Sequence, residues 1–175
     1  MKTTFFNSIC TMFCLASLAA VSAHADRLDD LVCKLKSDDN AARVEARQLL
    51  PREDLAQVVE KLAPVLDDPR AEVWYAAKRV IEDCINQAGL AGREAKRAAI
   101  AASLMTLVAP EKNAHLKEEG LRLLPRAIPE GFDVAPVAAL LTDADFREKA
   151  RRCLEETKTT QAGEALCAAL DAADA

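Results

Sequence analysis

Six basic side chains recur at one register of this chain: Arg47, Lys78, Arg79, Arg122, Arg151 and Arg152. Each stands one or two residues after a small residue, which is Ala46, Ala77, Gly120 or Ala150. An arginine fork forms paired bonds to a carboxylate and keeps its charge at any physiological pH. On a chain of formal net charge −5, such a ladder is a concentrated feature, suited to an acidic protein segment or an anionic polymer. The plainer alternative is a solvated helix face whose cations pair with Glu45, Glu82 or Glu148.

Four acidic or polar turns precede the small residues: Asp38-Asp39-Asn40, Asp67-Asp68-Pro69, Pro110 to Asn113, and Asp143-Ala144-Asp145. A calcium loop needs a central glycine and a bidentate acid at its end, and the stretch from Asp143 has Leu154 at that last position. Capping the following helix is the expected role of these turns. His115 is the one histidine left once a leader is removed, and no Cys-x-x-Cys pair exists to help it hold a metal. No nucleophile motif is present, so neither catalysis nor a cofactor is expected. Trp74 and Tyr75 adjoin each other, and either one projects as a binding anchor or Trp74 packs between neighbouring helices.

The segments that must position these residues begin after the first 25. Met1-Lys2, an apolar run over 9–21, and the small-x-small string Ala23-His24-Ala25 read as a cleaved export signal with Asp26 as the mature start. The apolar run is too short for a bilayer ~30 Å thick, so no membrane span is expected after cleavage. Cleavage removes Lys2 and no acid, so −5 becomes −6. That balance, with export to a periplasmic or extracellular compartment, argues against a nucleic-acid partner. Residues 26–175 form one domain, rich in alanine and leucine and poor in aromatics, which favours helix over strand.

Internal duplication organises that domain. Leu49-Leu50-Pro51-Arg52 recurs as Leu123-Leu124-Pro125-Arg126, and Gln87-Ala88-Gly89 recurs as Gln161-Ala162-Gly163, both at an offset of 74 residues. Each small residue is followed three and four positions later by an apolar pair, as in Ala77 with Val80-Ile81 and Ala150 with Cys153-Leu154. That spacing puts all three on one helix face. Before each turn comes another apolar stretch, ending at Leu35, Leu66, Val108 and Leu141. Four helical hairpins and a last capping helix over 161–172 follow.

The four mature cysteines allow two bridges in an oxidising compartment. Cys153 and Cys167 flank the turn between the last hairpin and the cap and are expected to pair, closing a loop that contributes on the order of 3 kcal/mol. The alternative for Cys153, at a core-facing repeat position, is a buried thiol acting as a small hydrophobe. Cys33 and Cys84 are expected to stay free.

Leu66-Asp67-Asp68-Pro69 through Val73 to Ala77, Val80 and Ile81 resembles the second half of a HEAT repeat of the bacterial lyase-like type, and the stretch from Leu141 to Leu154 is similar. The resemblance covers 26–172 and implies an all-α, right-handed solenoid of about four HEAT-like hairpins with a C-terminal capping helix. Pro64 inside a first helix fits the kink common in that family. The family's second helices line a concave face, which implies that the basic ladder points into the groove. The expectation is a non-enzymatic, exported scaffold or adaptor that binds another protein there. The alternative is an accessory or enzyme handling a linear tetrapyrrole or other small ligand, since the lyase-like family includes such proteins.

Overall fold

The computed structural model describes residues 26–173, so the expected leader at 1–25 lies outside the described residues. The described chain is helical throughout and contains no strand. In order, the helices are α1 (26–35), α2 (Asn40–Leu49), α3 (Leu55–Leu62), α4 (Ala71–Ala88), α5 (Glu94–Met105), α6 (Ala114–Ala127), α7 (Ala135–Ala139), α8 (Arg147–Thr157) and α9 (Thr160–Ala173). None of them is long and apolar enough to cross a membrane.

Periodicity explains which face each helix buries. In α4 the buried side chains are Val73, Ala76, Ala77, Val80, Ile81, Cys84, Ile85 and Ala88, a run of three- and four-residue steps along one side. All four small residues at the start of the repeated triplets are buried: Ala46, Ala77, Gly120 and Ala150. Leu50, Ile81, Leu124 and Leu154 are buried with them. Burying one such leucine or isoleucine contributes roughly 1.5–3 kcal/mol.

The helices pack as pairs, with α3 on α4, α5 on α6 and α7 on α8. The second members also touch in succession, α2 on α4, α4 on α6 and α6 on α8, while α9 closes against α7 and α8. Glycine is required at one of these seams. A Cβ at Gly120 would stand 2.9 Å from Leu107 Cβ and 3.1 Å from Val108 Cγ1, so α6 sits closer to the end of its partner than a side chain permits.

Three first helices tighten before their turns. α3, α5 and α7 run into 3-10 segments at Ala63–Asp67, Thr106–Val108 and Leu140–Thr142. Pro64 opens the first of these rather than kinking an uninterrupted helix, because it has no N–H to continue the α-helical ladder. Thr106 and Thr142 donate their hydroxyls to the carbonyls of Ser103 and Ala139, so both of those carbonyls gain a donor where the helix narrows.

Capping holds at two of the four polar turns. Asp39 accepts from Ala41 N at 2.9 Å and Asn113 from Leu116 N at 2.9 Å, each at the N-cap. Asp68 and Asp143 instead accept from Arg70 N and Asp145 N, closing turns that start three and four residues before their helices begin. Asp54, outside the four turns, caps α3 through Ala56 N and Gln57 N.

Polar bonds stitch successive turns together. Arg70 Nη1 donates to Lys36 O at 2.9 Å and to Asp38 at 3.1 Å, while its other nitrogens grip Asp68. That grip holds the Asp68 carboxyl at about 2, well below its ordinary value. One pair further on, Asn113 Nδ2 donates to Asp67 at 2.8 and 2.9 Å. His115 Nε2 lies 3.0 Å from Leu66 O, and a carbonyl only accepts, so Nε2 carries the proton. At the next seam Lys117 and Lys149 both stand over the Phe146 ring, 5.3 and 5.2 Å from its centroid.

The expected bridge between Cys153 and Cys167 is corrected by the structure. All four described cysteines are free thiols, Cys84 and Cys153 buried, Cys33 and Cys167 exposed. Cys153 belongs to the core face of α8 with Ala150 and Leu154, whereas α9 turns Ala162 inward and leaves Cys167 outside. Between the two helices, Lys158 adopts the left-handed conformation with φ 54°.

Candidate functional site

The six ladder residues all fall on second helices, Arg47 on α2, Lys78 and Arg79 on α4, Arg122 on α6, and Arg151 and Arg152 on α8. They do not form one continuous surface. Each helix turns its cations by its own phase, and the neighbours three or four residues away decide which ones remain open.

Lys78 is turned into the seam between α4 and α6. Its side chain is 12% exposed and its Nζ stands 2.7 Å from Glu119 Oε2, on a side chain only 4% exposed. The approach is too oblique for a hydrogen bond, and Oε2 accepts none. Arg122 Nη1 donates to the other oxygen, Oε1, at 2.9 Å. Glu119 therefore holds a cation from each of two adjacent second helices, and a buried carboxylate needs such partners to stay charged. Sequence reasoning missed it. The available signal was its place on the stripe Leu116, Glu119, Gly120, Leu123, where an acid interrupts an otherwise core-facing run.

A groove of about 400 Å³ runs between α2 and α4. α2 lines it with Asn40, Arg43, Val44 and Arg47, and α4 with Glu72, Tyr75, Ala76 and Arg79. Both sets are spaced i, i+3, i+4, i+7, so each helix gives one stripe. Val44 is 42% exposed and Tyr75 53% exposed. Arg43 is anchored through Nη1 to Ser37 O at 2.6 Å, and Arg79 reaches Glu82 only at 3.5 Å. Arg47 is exposed and has no ion pair or hydrogen bond from its side chain among the described residues.

The matching depression between α6 and α8 encloses about 280 Å³ and differs in charge. Arg122, Lys149 and Arg152 are met there by Glu118 and Glu156, with the buried thiol of Cys153 also on the wall. Lys149 pairs with Glu118 at 2.7 Å and Arg152 with Glu156 at 2.8 Å. Arg151 bonds Glu148 and Glu155 on its own helix and does not line the cavity. The buried thiols are suppressed as nucleophiles, since burial pushes both Cys84 and Cys153 up to about 12.

The aromatic pair divides its duties. Trp74 is half-buried and meets the His115 ring edge-on at 5.4 Å, which joins α4 to α6, and Tyr75 stands beside it with its ring in solvent. His115 is thereby occupied with Leu66 O and Trp74. Among the described residues, no group of three or more His, Cys, Asp or Glu side chains is placed to hold a metal ion. Arranged this way, the second-helix face can recognise charge and apolar shape. Compared with known protein families, curated proteins and solved structures, the chain matches none.

Proposed function

We propose that this protein is an exported, non-enzymatic helical-repeat adaptor that binds another protein through the face formed by α2, α4, α6 and α8. In this reading the pairs α1/α2, α3/α4, α5/α6 and α7/α8 are four HEAT-like repeats of a right-handed solenoid, α9 is the cap, and the second helices line its concave side. The observation that carries it is the succession of contacts α2 on α4, α4 on α6 and α6 on α8, with cations standing on each of those helices. Repeat arrays of this kind work as extended surfaces for partners.

Photocrosslinkers placed on the four second helices, in protein expressed in its native host, test the reading. The expected result is a mature N-terminus at Asp26 in the exported fraction and a specific protein crosslinked from that face. Retention of residues 1–25 sinks the export claim, and crosslinks only from first helices sink the binding face. Visible absorbance from a co-purifying pigment reverses the ranking in favour of a tetrapyrrole-handling role.

A further inference from the structure

We propose that the groove between α2 and α4 is the primary recognition site and that its ligand is a short acidic segment of another protein carrying an aliphatic or aromatic side chain next to its acids. The proposal rests on the adaptor reading and narrows it to one groove and one ligand chemistry.

Along the ladder, cations stand beside large exposed hydrophobic side chains only in this groove. The groove brings Arg43, Arg47 and Arg79 together against one lining acid, Glu72. Two of the four large hydrophobic side chains that remain exposed among the described residues, Val44 and Tyr75, line the groove with those arginines. A purely anionic polymer satisfies the cations and leaves this apolar pair in water. A peptide satisfies both, because aromatic and arginine side chains together are the usual anchors of protein recognition. The α6/α8 depression has apolar lining in Leu121 and Cys153 but differs in charge, since its cations are met by Glu118 and Glu156.

Register along the helices sets the motif. Arg47 follows Val44 by three positions and Arg79 follows Tyr75 by four, which is about 4.5–6 Å along a helix axis. An extended peptide advances about 3.3 Å per residue. A carboxylate roughly two residues from the apolar side chain therefore reaches the arginines while that side chain rests on Val44 and Tyr75.

A displayed library of short random peptides, selected on the full mature protein at low salt, provides the probe. The expected result is enrichment of acidic segments with an apolar residue near the acids. Enriched peptides should bind the Arg47→Gln/Arg79→Gln double variant and Tyr75→Ser at least about tenfold more weakly. Lys96→Gln, on α5, should leave binding unchanged, and thermal melts verify that every variant is folded. Equal loss on Arg151→Gln/Arg152→Gln spreads recognition over the whole face, which overturns the groove assignment and leaves the adaptor standing. Failure to enrich acidic peptides also overturns it, whether or not dextran sulfate binds through Arg47 and Arg79. Failure of both this selection and the native crosslinking removes the adaptor reading as well.

Discussion

The α2/α4 and α6/α8 regions carry the same kind of residue at the same register and end in different states. Arg47 has Arg43 and Val44 one turn before it and Leu50 and Pro51 one turn after, so no acid lies within reach on its own helix. Arg151 has Glu148 and Glu155 at those distances, and Arg152 has Glu156. Helical pairs at i+3 and i+4 are worth only a few tenths of a kcal/mol, but they occupy the guanidinium donors that a ligand would otherwise use. A basic ladder is therefore not one property. What stands a turn away on each helix decides whether a cation is available or neutralised at home.

The duplicated tetrapeptide diverges in a related way. Leu49-Leu50-Pro51-Arg52 ends α2 and passes into a 3-10 turn, whose Pro51 carbonyl accepts from Gln87 Nε2 at 3.1 Å. Leu123-Leu124-Pro125-Arg126 stays inside α6, which continues to Ala127. There Arg97, reaching over from α5, donates to the carbonyls of Ala127 and Ile128 at 3.1 and 2.9 Å. Identical local sequence yields different ends because the groups that receive the terminal carbonyls come from elsewhere in the chain.

The largest contrast should come from charge burial, between the α4/α6 seam and the exposed face of α8. Lys78→Met removes a partner of the buried Glu119 carboxylate and is expected to cost about 3 kcal/mol in urea denaturation. Lys78→Met with Glu119→Leu should recover most of that loss, because the one charge left without its partner, Arg122, is 62% exposed to water. Arg152→Gln, on the exposed face of α8, should change stability by less than about 0.5 kcal/mol. A Lys78→Met cost no larger than that of Arg152→Gln would erase the distinction.

Next in size is the small position of each triplet. Gly120→Ala drives a methyl toward Leu107 and Val108 and should destabilise by about 1–3 kcal/mol. At the equivalent position in the first half, the opposite change Ala46→Gly should also destabilise, by about 1 kcal/mol, from helix propensity alone. Thermal melts that show Gly120→Ala to be neutral or stabilising would mean that the two seams are equally roomy.

Thiol chemistry gives the smallest contrast, in fact an equality. Each half holds one exposed cysteine, Cys33 or Cys167, and one buried, Cys84 or Cys153. A thiol reagent with a chromophore should modify two of the four in the folded protein and the remaining two only on unfolding. Loss of reactivity at Cys167, restored by reductant, would reinstate the bridge.

Helix positions and the buried triplets were legible because both depend on periodicity within a single helix, and the small residues at Ala46, Ala77, Gly120 and Ala150 are all buried as their spacing predicts. Caps were half legible. Asp39 and Asn113 adjoin their helices, while the turns at Asp68 and Asp143 consume the side chain two and three residues ahead of the cap position. The cysteine pairing failed because flanking a turn says nothing about how each helix rotates about its own axis, and one residue of helix is about 100° of rotation. Glu119 could have been found, since it lies on the core stripe of α6 and Lys78 lies between Ala77 and Ile81 on α4. Two opposite charges on the inward faces of neighbouring second helices are a pairing signal that the basic ladder obscured.

Lys158 has a consequence for how α9 leaves α8. A left-handed residue after a helix is ordinarily glycine, and a side chain there costs roughly 1 kcal/mol. The chain accepts that cost at the single joint that sets α9 apart from the pairs before it. Lys158→Gly should recover that cost and leave the contacts of α9 with α7 and α8 in place. The direction in which α9 leaves α8 is thus set by the backbone of one residue.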